Sequence, residues 1–181
     1  ILTTSTNIVS RLFGVKGLEE RAFVSEEEIK YFVKEGMEKG IFEETEQELI
    51  HGVFDFADTT VKEIMVPKHK FSAIDIDTPE DKVLEFLTET GFSRYPVYRE
   101  QPDQIIGILY NKDVFKVLKE KRPLILNEII RAPYFVPDTI MISKLLRDLQ
   151  RKRVHIAFVI NEHGDVDGLV TIEDLLEEIV G

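Results

Sequence analysis

An internal repeat is the feature of this sequence that most constrains its fold. The segment GILYNKDVFKVL at 107–118 returns as GLVTIEDLLEEI at 168–179, an offset of 61 residues. The segment RYPVY at 94–98 returns as HIAFV at 155–159 with the same offset. Self-similarity at a fixed spacing indicates two copies of one supersecondary unit. Two copies are too few for a solenoid, so we predict pseudo-twofold packing of two units that each leave an apolar face uncovered.

The repeat also covers the leading segment of each copy. VKEIMVP at 61–67 matches LNEIIRAP at 126–133, and Ile64 precedes Ile129 by 65 residues, so the first copy has about four extra residues near Lys68–Phe71. Each copy reads as a short apolar segment, a strand, a helix, two strands and a helix. The predicted fold class is therefore α/β (α+β), with β-α-β-β-α occurring twice behind an N-terminal helical extension. We divide the chain into 1–24, 25–60, 61–120 and 121–181.

Apolar runs and turn residues give approximate element bounds. The first strands are predicted at Ser72–Ile76 and Tyr134–Val136. Asp77-Thr78-Pro79 and Asp138-Thr139 are predicted to start the helices that follow them. The paired strands are Tyr95–Tyr98 with Ile105–Leu109 and Ile156–Ile160 with Val166–Val170, and the last helices start near Asp113 and Asp174.

The segment 25–60 is acidic and predicted to be helical. Ser25 with Glu28 is a capping box that predicts a helix from about Glu26 to Met37. Thr45 with Glu48 has the same signature and predicts a second helix through Leu49, Ile50, Val53, Phe54 and Phe56. Residues 1–60 hold 13 acidic and 6 basic residues, so this part carries −7 of the total charge of −11. The shift in composition marks a segment distinct from the repeats.

Residues 1–24 allow two interpretations. Ile8, Leu12 and Val15 lie at i, i+4 and i+7, the spacing of an amphipathic helix. Such a helix would lie at a membrane surface, or the segment would pack on the domain or be disordered in isolation. Because the chain begins at Ile1 without an initiator Met, we expect it to be a portion of a longer protein.

Composition excludes several classes of function. An acidic chain repels phosphate backbones, so we expect no nucleic-acid partner. The absence of cysteine excludes disulfides, thiolate nucleophiles and cysteine zinc sites. No run of 18 apolar residues, no phosphate-binding P-loop and no GxSxG motif occurs, and the four histidines lack metal-ligand spacing. We therefore predict neither a metal site nor an enzyme.

The segment from Gly168 to Asp174 carries the most chemistry. It reads as the end of a strand followed by the first turn of a helix, with Thr171 and Asp174 in that turn. Free N–H groups and the Thr171 hydroxyl suit an anion, and the two Asp174 oxygens suit a ribose diol. The alternative is structural: Thr171 caps the helix, and Glu173 or Asp174 complements its dipole.

These motifs resemble those of the CBS domain. Its repeated pattern is Gly-h-x-(Thr/Ser)-x-x-Asp at the end of a β-α-β-β-α unit. The strings VKEIMVP, SRYPVY and GLVTIEDLLEEIVG are similar to the CorC/HlyC family and its animal CNNM relatives, and the resemblance is strong over 61–181. The acidic stretch before it resembles the segment that those proteins place between a membrane domain and a CBS pair.

The resemblance implies that an adenine nucleotide, ATP or AMP, binds in the cleft between the repeats, with Mg²⁺ accompanying ATP. Thr171 would contact phosphate or ribose, and Asp174 the ribose hydroxyls. For Arg94 a phosphate contact and a surface ion pair are the alternatives, and for Phe92 base stacking and core packing. The first repeat is implied to supply Val66 and Pro67 at the adenine and Phe92, Ser93, Arg94 and Pro96 at the base and phosphates.

The symmetry-related second site departs from the pattern. Tyr110 stands where the family has Thr or Ser, although Asp113 remains. A tyrosine at this position would fill the cleft. The far wall of this site would come from Arg153 and His155 of the second repeat. We therefore expect the second site to be weak or empty.

The resemblance also implies a role. The chain would be a regulatory module of a CorC-like transporter of Mg²⁺ or another divalent cation, at the cytoplasmic face of the cell membrane. It would form a homodimer through its CBS pairs and act on the transmembrane domain of its own full-length protein. The alternative is a protein-interaction module of a haemolysin-related membrane protein, without nucleotide dependence.

Overall fold

The computed structural model describes residues 25–181, so the predictions for residues 1–24 lie outside the described part. The chain divides into two units, Ile1–Gln47 and Glu48–Gly181. Helix α1 spans Glu26–Glu38 in the first unit. The Ser25 hydroxyl accepts the Glu28 N–H at 3.2 Å, and the Glu28 carboxylate accepts the Ser25 N–H at 3.0 Å. The capping box predicted at this helix is confirmed.

Helix α2 spans Glu44–Asp58 and corrects one prediction. Thr45 lies inside the first turn of this helix, so it is not the N-cap. Glu43 precedes the helix instead, and its N–H donates to the Glu46 carboxylate at 3.0 Å. A hydrogen bond between a backbone N–H and a glutamate three residues later therefore occurs at the start of this helix, two residues earlier than the predicted Thr45–Glu48 box.

The remaining elements form the two repeats. The first repeat contains α3 (Val61–Ile64), β1 (Val66–Pro67), β2 (Ile74–Asp75), α4 (Glu80–Thr90), β3 (Arg94–Arg99), β4 (Gln101–Tyr110) and α5 (Asn111–Lys119). The second contains α6 (Leu126–Ile129), β5 (Phe135–Pro137), α7 (Ile142–Lys152), β6 (Ile156–Ile160), β7 (Val166–Thr171) and α8 (Ile172–Val180). After its leading segment, each repeat runs β-α-β-β-α, which confirms the predicted fold class.

The strands form two mixed sheets. The order is β2-β3-β4 in the first and β1-β7-β6-β5 in the second. In both, the first strand of the β-α-β-β-α unit is parallel to its neighbour and the last two strands are antiparallel. The fourth strand of the second sheet comes from the other repeat, because β1 pairs antiparallel with β7.

The leading segments of the two repeats are exchanged. Val66 of the first repeat pairs with Leu169 of the second, and Arg131 of the second forms an isolated bridge with Ile108 of the first. Val61, in α3, is fully buried in the core of the second repeat, whereas Leu126, in α6, is buried in the core of the first. Each half therefore completes its core with residues from the other half.

Glycine permits this exchange at equivalent positions. A Cβ on Gly168 would lie 2.6 Å from the Val66 carbonyl oxygen, and one on Gly107 would lie 2.7 Å from Ile130 Cδ1. Both contacts are too short for a real side chain, so the leading segments approach as closely as they do because these two positions have none.

A third apolar cluster joins the two repeats. It contains residues of β4 in the first repeat and of β6 and β7 in the second, all of them buried. This shared surface agrees with the prediction that each repeat leaves an apolar face uncovered. The cluster consists of Ile105, Ile108, Tyr110, Ile156, Phe158, Val166 and Leu169.

The second inter-strand helix starts later than predicted. Helix α7 begins at Ile142 with Met141 as N-cap, so Asp138-Thr139 do not start it. Asp138 is only 7% exposed, and its carboxylate accepts from the Lys62 ammonium at 2.9 Å. The side chain that was expected to cap the helix is therefore paired with the other repeat. Its counterpart α4 begins at Glu80 after Pro79, close to the predicted position.

Candidate functional site

The turn from β7 to α8 has the capping geometry of the structural alternative. Thr171 is the N-cap, and its N–H and its hydroxyl each donate to Asp174 Oδ2 at 2.7 Å. The Asp174 N–H donates in return to the Thr171 hydroxyl oxygen at 3.3 Å. Both residues are half-buried. Asp174 Oδ1 takes no part in this capping box, so the cap leaves one carboxylate oxygen to accept from a ligand hydroxyl.

Arg94 lies between the two repeats, beside the start of α8. Its side chain is 20% exposed, and Nη1 is 3.7 Å from Glu173 Oε1. Glu173 is largely exposed, so this long ion pair contributes little to stability. The Arg94 Nε is buried and has no hydrogen-bond partner. A buried guanidinium N–H without an acceptor is costly, and a phosphate oxygen would satisfy it.

Phe92 and Ser93 line a cavity of about 270 Å³ that also contains Arg94 and Tyr110. Phe92 is 58% exposed, which rules out the core-packing alternative for its ring. The ring forms a T-shaped pair with Tyr95, with a centroid distance of 6.0 Å and an interplanar angle of 63°. Gly91, Asn111 and Lys112 complete the lining.

Asn111 fixes the backbone at the mouth of this cavity. Its side-chain Nδ2 donates to the Phe92 carbonyl at 3.3 Å, and its N–H donates to the Ser93 carbonyl at 3.0 Å. The loop before β3 is thereby tied to the start of α5. Asn111 directly follows Tyr110, the last residue of β4. No motif in the sequence marked Asn111 as a candidate site residue.

Val66, Pro67 and Pro96 occupy strand positions. Val66 and Pro67 are half-buried in β1, alongside the strand that ends at Thr171. Val66 lies opposite Leu169 and Pro67 opposite Gly168, two and three residues before Thr171 along β7. Pro96 is buried within β3 opposite Ile108 and is not among the residues that line the cavity.

The second cleft contains a residue that the sequence analysis missed. Arg131 donates to Asp113 Oδ2 from Nε at 3.0 Å and from Nη2 at 2.6 Å. The guanidinium carbon of Arg131 also lies 4.4 Å from the centroid of the Tyr110 ring. The His155 side chain is exposed, and the His155 carbonyl accepts the Ile172 N–H at 3.1 Å. Tyr110 and Asp113 are thus brought together by Arg131, and His155 adjoins the other turn.

Residues 25–181 contain neither a membrane-crossing helix nor a cluster of metal-binding side chains. No helix in this part of the chain is both long enough and apolar enough to cross a membrane. No group of three or more histidine or acidic side chains in the same residues has the geometry to hold a metal ion.

Comparison with known proteins places these features in a family. The model of the CBS domain matches residues 61–120 and 126–181. The chain is 33% identical to the UPF0053 protein YugS of Bacillus subtilis over 99% of this chain and 42% of that protein. It is 39% identical to the magnesium and cobalt efflux protein CorC of Vibrio cholerae over 75% of this chain and 47% of that protein. The chain therefore spans less than half the length of these relatives.

Solved structures give a closer match in length. The CBS domain of a bacterial CNNM/CorC family Mg²⁺ transporter has a TM-score of 0.78 and 39% identity, over 87% of this chain and 97% of that one. The same kind of domain in complex with ATP has a TM-score of 0.71 and 40% identity, over 75% and 97%. A CBS-domain pair with bound AMP from Klebsiella pneumoniae has a TM-score of 0.62 and 34% identity, over 68% and 100%.

Sequence, topology and comparison agree on the family. The two repeats found in the sequence correspond to the two matched CBS domains. Their exchanged leading segments and shared cluster make one folded pair. The chain belongs to the CBS domain family and is a CBS-domain pair of the CNNM/CorC family.

Proposed function

We propose that the cleft at the β7–α8 turn binds one adenine nucleotide, ATP or AMP, with Mg²⁺ accompanying ATP. The observation that carries this proposal is the half-buried Thr171–Asp174 pair at the start of α8, together with Arg94, which lies 3.7 Å from Glu173 of the same turn and whose Nε lacks an acceptor. Asp174 Oδ1 would accept a ribose hydroxyl, and the Arg94 guanidinium would donate to phosphate. The complexes of similar CBS domains with ATP and AMP support this ligand class.

Phe92 and Ser93 would contact the base and the phosphates from the neighbouring cavity, whose lining includes Arg94 but neither Thr171 nor Asp174. Val66 and Pro67 present an apolar wall to the adenine. The exposed ring of Phe92 stacks on the base, and Ser93, in the same cavity, donates its hydroxyl to a phosphate. Pro96 would act indirectly, by positioning the neighbouring Arg94, because it is buried within β3 opposite Ile108.

The binding would regulate a divalent cation transport protein similar to CorC. Helix α8 starts at the proposed site, and its other end packs closely against Gly52. A Cβ built on Gly52 would lie only 2.5 Å from the Ile179 carbonyl oxygen. Gly52 belongs to α2, so α8 connects the nucleotide to the acidic helix that precedes the repeats. The transmembrane domain of the full-length protein, at the cytoplasmic face of the membrane, would receive this change. The ligand can shift such an equilibrium only by its differential affinity for the two states.

We also propose that two copies associate through the last helices of the repeats. Phe115 on α5 is 64% exposed and Leu176 on α8 is 44% exposed, and the two positions are related by the 61-residue repeat. Large apolar side chains at equivalent exposed positions match a symmetric interface between copies. Nucleotide turnover is not part of the proposal: the module binds and releases its ligand unchanged.

The test is calorimetric and thermal titration with ATP, ADP and AMP, each with and without Mg²⁺. A ligand at 100 times its dissociation constant stabilises the folded state by about 2.7 kcal/mol. Asp174→Ala is expected to abolish this response. The matched control is Glu63→Ala, because Thr60 and Glu63 form the same capping box: the Thr60 N–H and hydroxyl donate to Glu63 Oε1 at 2.9 Å and 2.7 Å.

The control separates a lost ligand contact from a lost cap. Removing either acidic residue costs roughly the same capping energy, about 1 kcal/mol. Only Asp174→Ala should also remove nucleotide binding. Absence of heat and of stabilisation with every nucleotide would refute the proposal. ATP hydrolysis that disappears in Asp174→Ala would instead show an enzyme.

A further inference from the structure

The exchange of leading segments gives every residue of one cleft a counterpart in the other. Val66 pairs with Leu169, and Arg131 pairs with Ile108, which precedes Leu169 by the 61-residue repeat. Arg131 follows Val66 by 65 residues, the offset of the leading segments. Arg131 therefore occupies in the second cleft the position that Val66 has beside Thr171. In the same way Tyr110 is the counterpart of Thr171, and Asp113 is the counterpart of Asp174.

The two acidic counterparts are held by different groups. Asp174 Oδ2 accepts from the N-cap Thr171, which precedes it by one helical turn. Asp113 Oδ2 accepts instead from two nitrogens of Arg131, at 3.0 Å and 2.6 Å. No cap hydrogen bond from the Tyr110 side chain accompanies them. The carboxylate that corresponds to the ribose acceptor is thus engaged by a cation of the other repeat.

The aromatic ring of Tyr110 is the second feature that distinguishes this cleft from the first. Tyr110 is 8% exposed, far less than the half-buried Thr171, and belongs to the apolar cluster that joins the repeats. Three cations surround its ring: Arg131 at 4.4 Å, Lys112 at 5.4 Å and Arg94 at 5.7 Å from the centroid. The face of the ring attracts these charges, which holds Arg131 over Tyr110 and Asp113 at once.

We propose that Arg131 and Tyr110 close the second cleft, and that they are the residues that limit the chain to one nucleotide. Arg131 places its guanidinium against Asp113 and over the Tyr110 ring, where the first cleft has the apolar Val66, and the Tyr110 ring stands where the first cleft has the smaller Thr171. Replacing both with their counterparts, Val and Thr, opens a second adenine-nucleotide site that uses Asp113. This inference rests on the proposed function for the identity of the ligand.

The experiment is carried out in the Asp174→Ala background, which removes the first site. ATP and AMP are titrated calorimetrically into Asp174→Ala alone and into the same chain with Arg131→Val and Tyr110→Thr. The first is expected to bind none and the second to bind one nucleotide per chain. Adding Asp113→Ala should remove the binding again. In the otherwise unchanged chain, the two replacements should raise the stoichiometry from one to two.

Arg122→Val is the matched control for the arginine replacement. Arg122 is 51% exposed and pairs with Glu120 at 2.8 Å, whereas Arg131 is 50% exposed and pairs with Asp113 at 2.6 Å. Loss of a half-exposed ion pair is common to both variants, but Arg122 lies outside either cleft. Arg122→Val is expected to leave the stoichiometry at one.

The outcomes distinguish this inference from the proposed function. If the unchanged chain and the doubly replaced chain each bind one nucleotide, the proposed role of Arg131 and Tyr110 is wrong and the proposed first site stands. No binding by the unchanged chain, with Asp113-dependent binding after the two replacements, would overturn the proposed site alone. No binding by any variant would overturn both.

Because Tyr110 is buried, Tyr110→Thr could prevent folding, so a second variant that keeps Tyr110 is also tested. Arg131→Val with Tyr110 retained frees Asp113 without altering the shared cluster. Nucleotide-dependent shifts of the Asp113 amide signal are expected in this variant and not in the unchanged chain. Their absence from folded Arg131→Val would overturn the role of Arg131.

Discussion

Gly168→Ala tests the contact that brings the leading segment of the first repeat into the second sheet. A Cβ at this position would lie 2.6 Å from the Val66 carbonyl oxygen and 2.9 Å from Met65 Sδ. The sulfur is on a flexible side chain and can move away. The carbonyl oxygen is part of β1, so it can retreat only if β1 separates from β7.

The size of the effect follows from two opposing terms. Overpacking of this kind costs about 1–3 kcal/mol. Alanine in a strand is favoured over glycine by about 0.5–1 kcal/mol. Because the clash is with a backbone atom, the overpacking cost lies in the upper part of its range, at about 2–3 kcal/mol. The net loss of stability is therefore about 1–2.5 kcal/mol, which for a chain of this size lowers Tm by about 2–10 °C. Thermal unfolding and urea titration of the two chains measure it.

Gly107→Ala is the internal comparison, because Gly107 is the counterpart of Gly168. Its Cβ would meet the Ile130 side chain, at 2.7 Å from Cδ1, and side-chain rotation relieves part of that clash. We expect a smaller loss of stability than at Gly168. Nucleotide affinity should fall only in Gly168→Ala, since β1 carries Val66 and Pro67. A Gly168→Ala chain with unchanged or higher Tm would refute the reasoning.

Two further predictions concern the Lys62–Asp138 pair and the association of copies. The hydrogen bond to the buried Asp138, and then its charge, raise the pKa of Lys62 above its ordinary value of 10.5. A raised pKa means that the pair stabilises the fold fully below pH 10.5 and loses this contribution as the pH rises through the folded-state value. Lys62→Met should therefore lower Tm at pH 7 and differ progressively less from the unchanged chain as the pH rises above 10.5; a difference that does not change with pH would contradict this. Phe115→Glu and Leu176→Glu should each convert a dimer to a monomer in light scattering at micromolar concentration, and an unchanged mass would exclude these helices as the interface.

Local signals in the sequence predicted most helix starts and failed where two signals competed. Ser25 with Glu28 caps α1, as its spacing indicates. Thr45 with Glu48 has the same spacing, yet α2 starts at Glu44 because Glu43 and Glu46 form an earlier hydrogen bond. Asp138 looked like a helix start and is instead buried against Lys62. The partner that decides this position is 76 residues away, beyond the reach of local patterns.

The sequence predicted the candidate site only in part, because some of its features depend on contacts between distant residues. Thr171 and Asp174 stood out because they follow a strand within a repeated pattern. The sequence could not show that Phe92 is exposed and Pro96 buried, since both are apolar residues of the same five-residue segment. Nor could it show that the Nε of Arg94 lacks an acceptor, which depends on how the two repeats meet.

The sequence by itself determined the repeat, the order of elements and the difference between Thr171 and Tyr110. Those properties depend on residue type and spacing along the chain, which the amino-acid order contains. Only the tertiary structure decided that the leading segments are exchanged, because strand pairing between distant segments depends on which surfaces pack together. That exchange brings Val66 to one cleft and Arg131 to the other, and so makes two nearly equal halves unequal as binding sites.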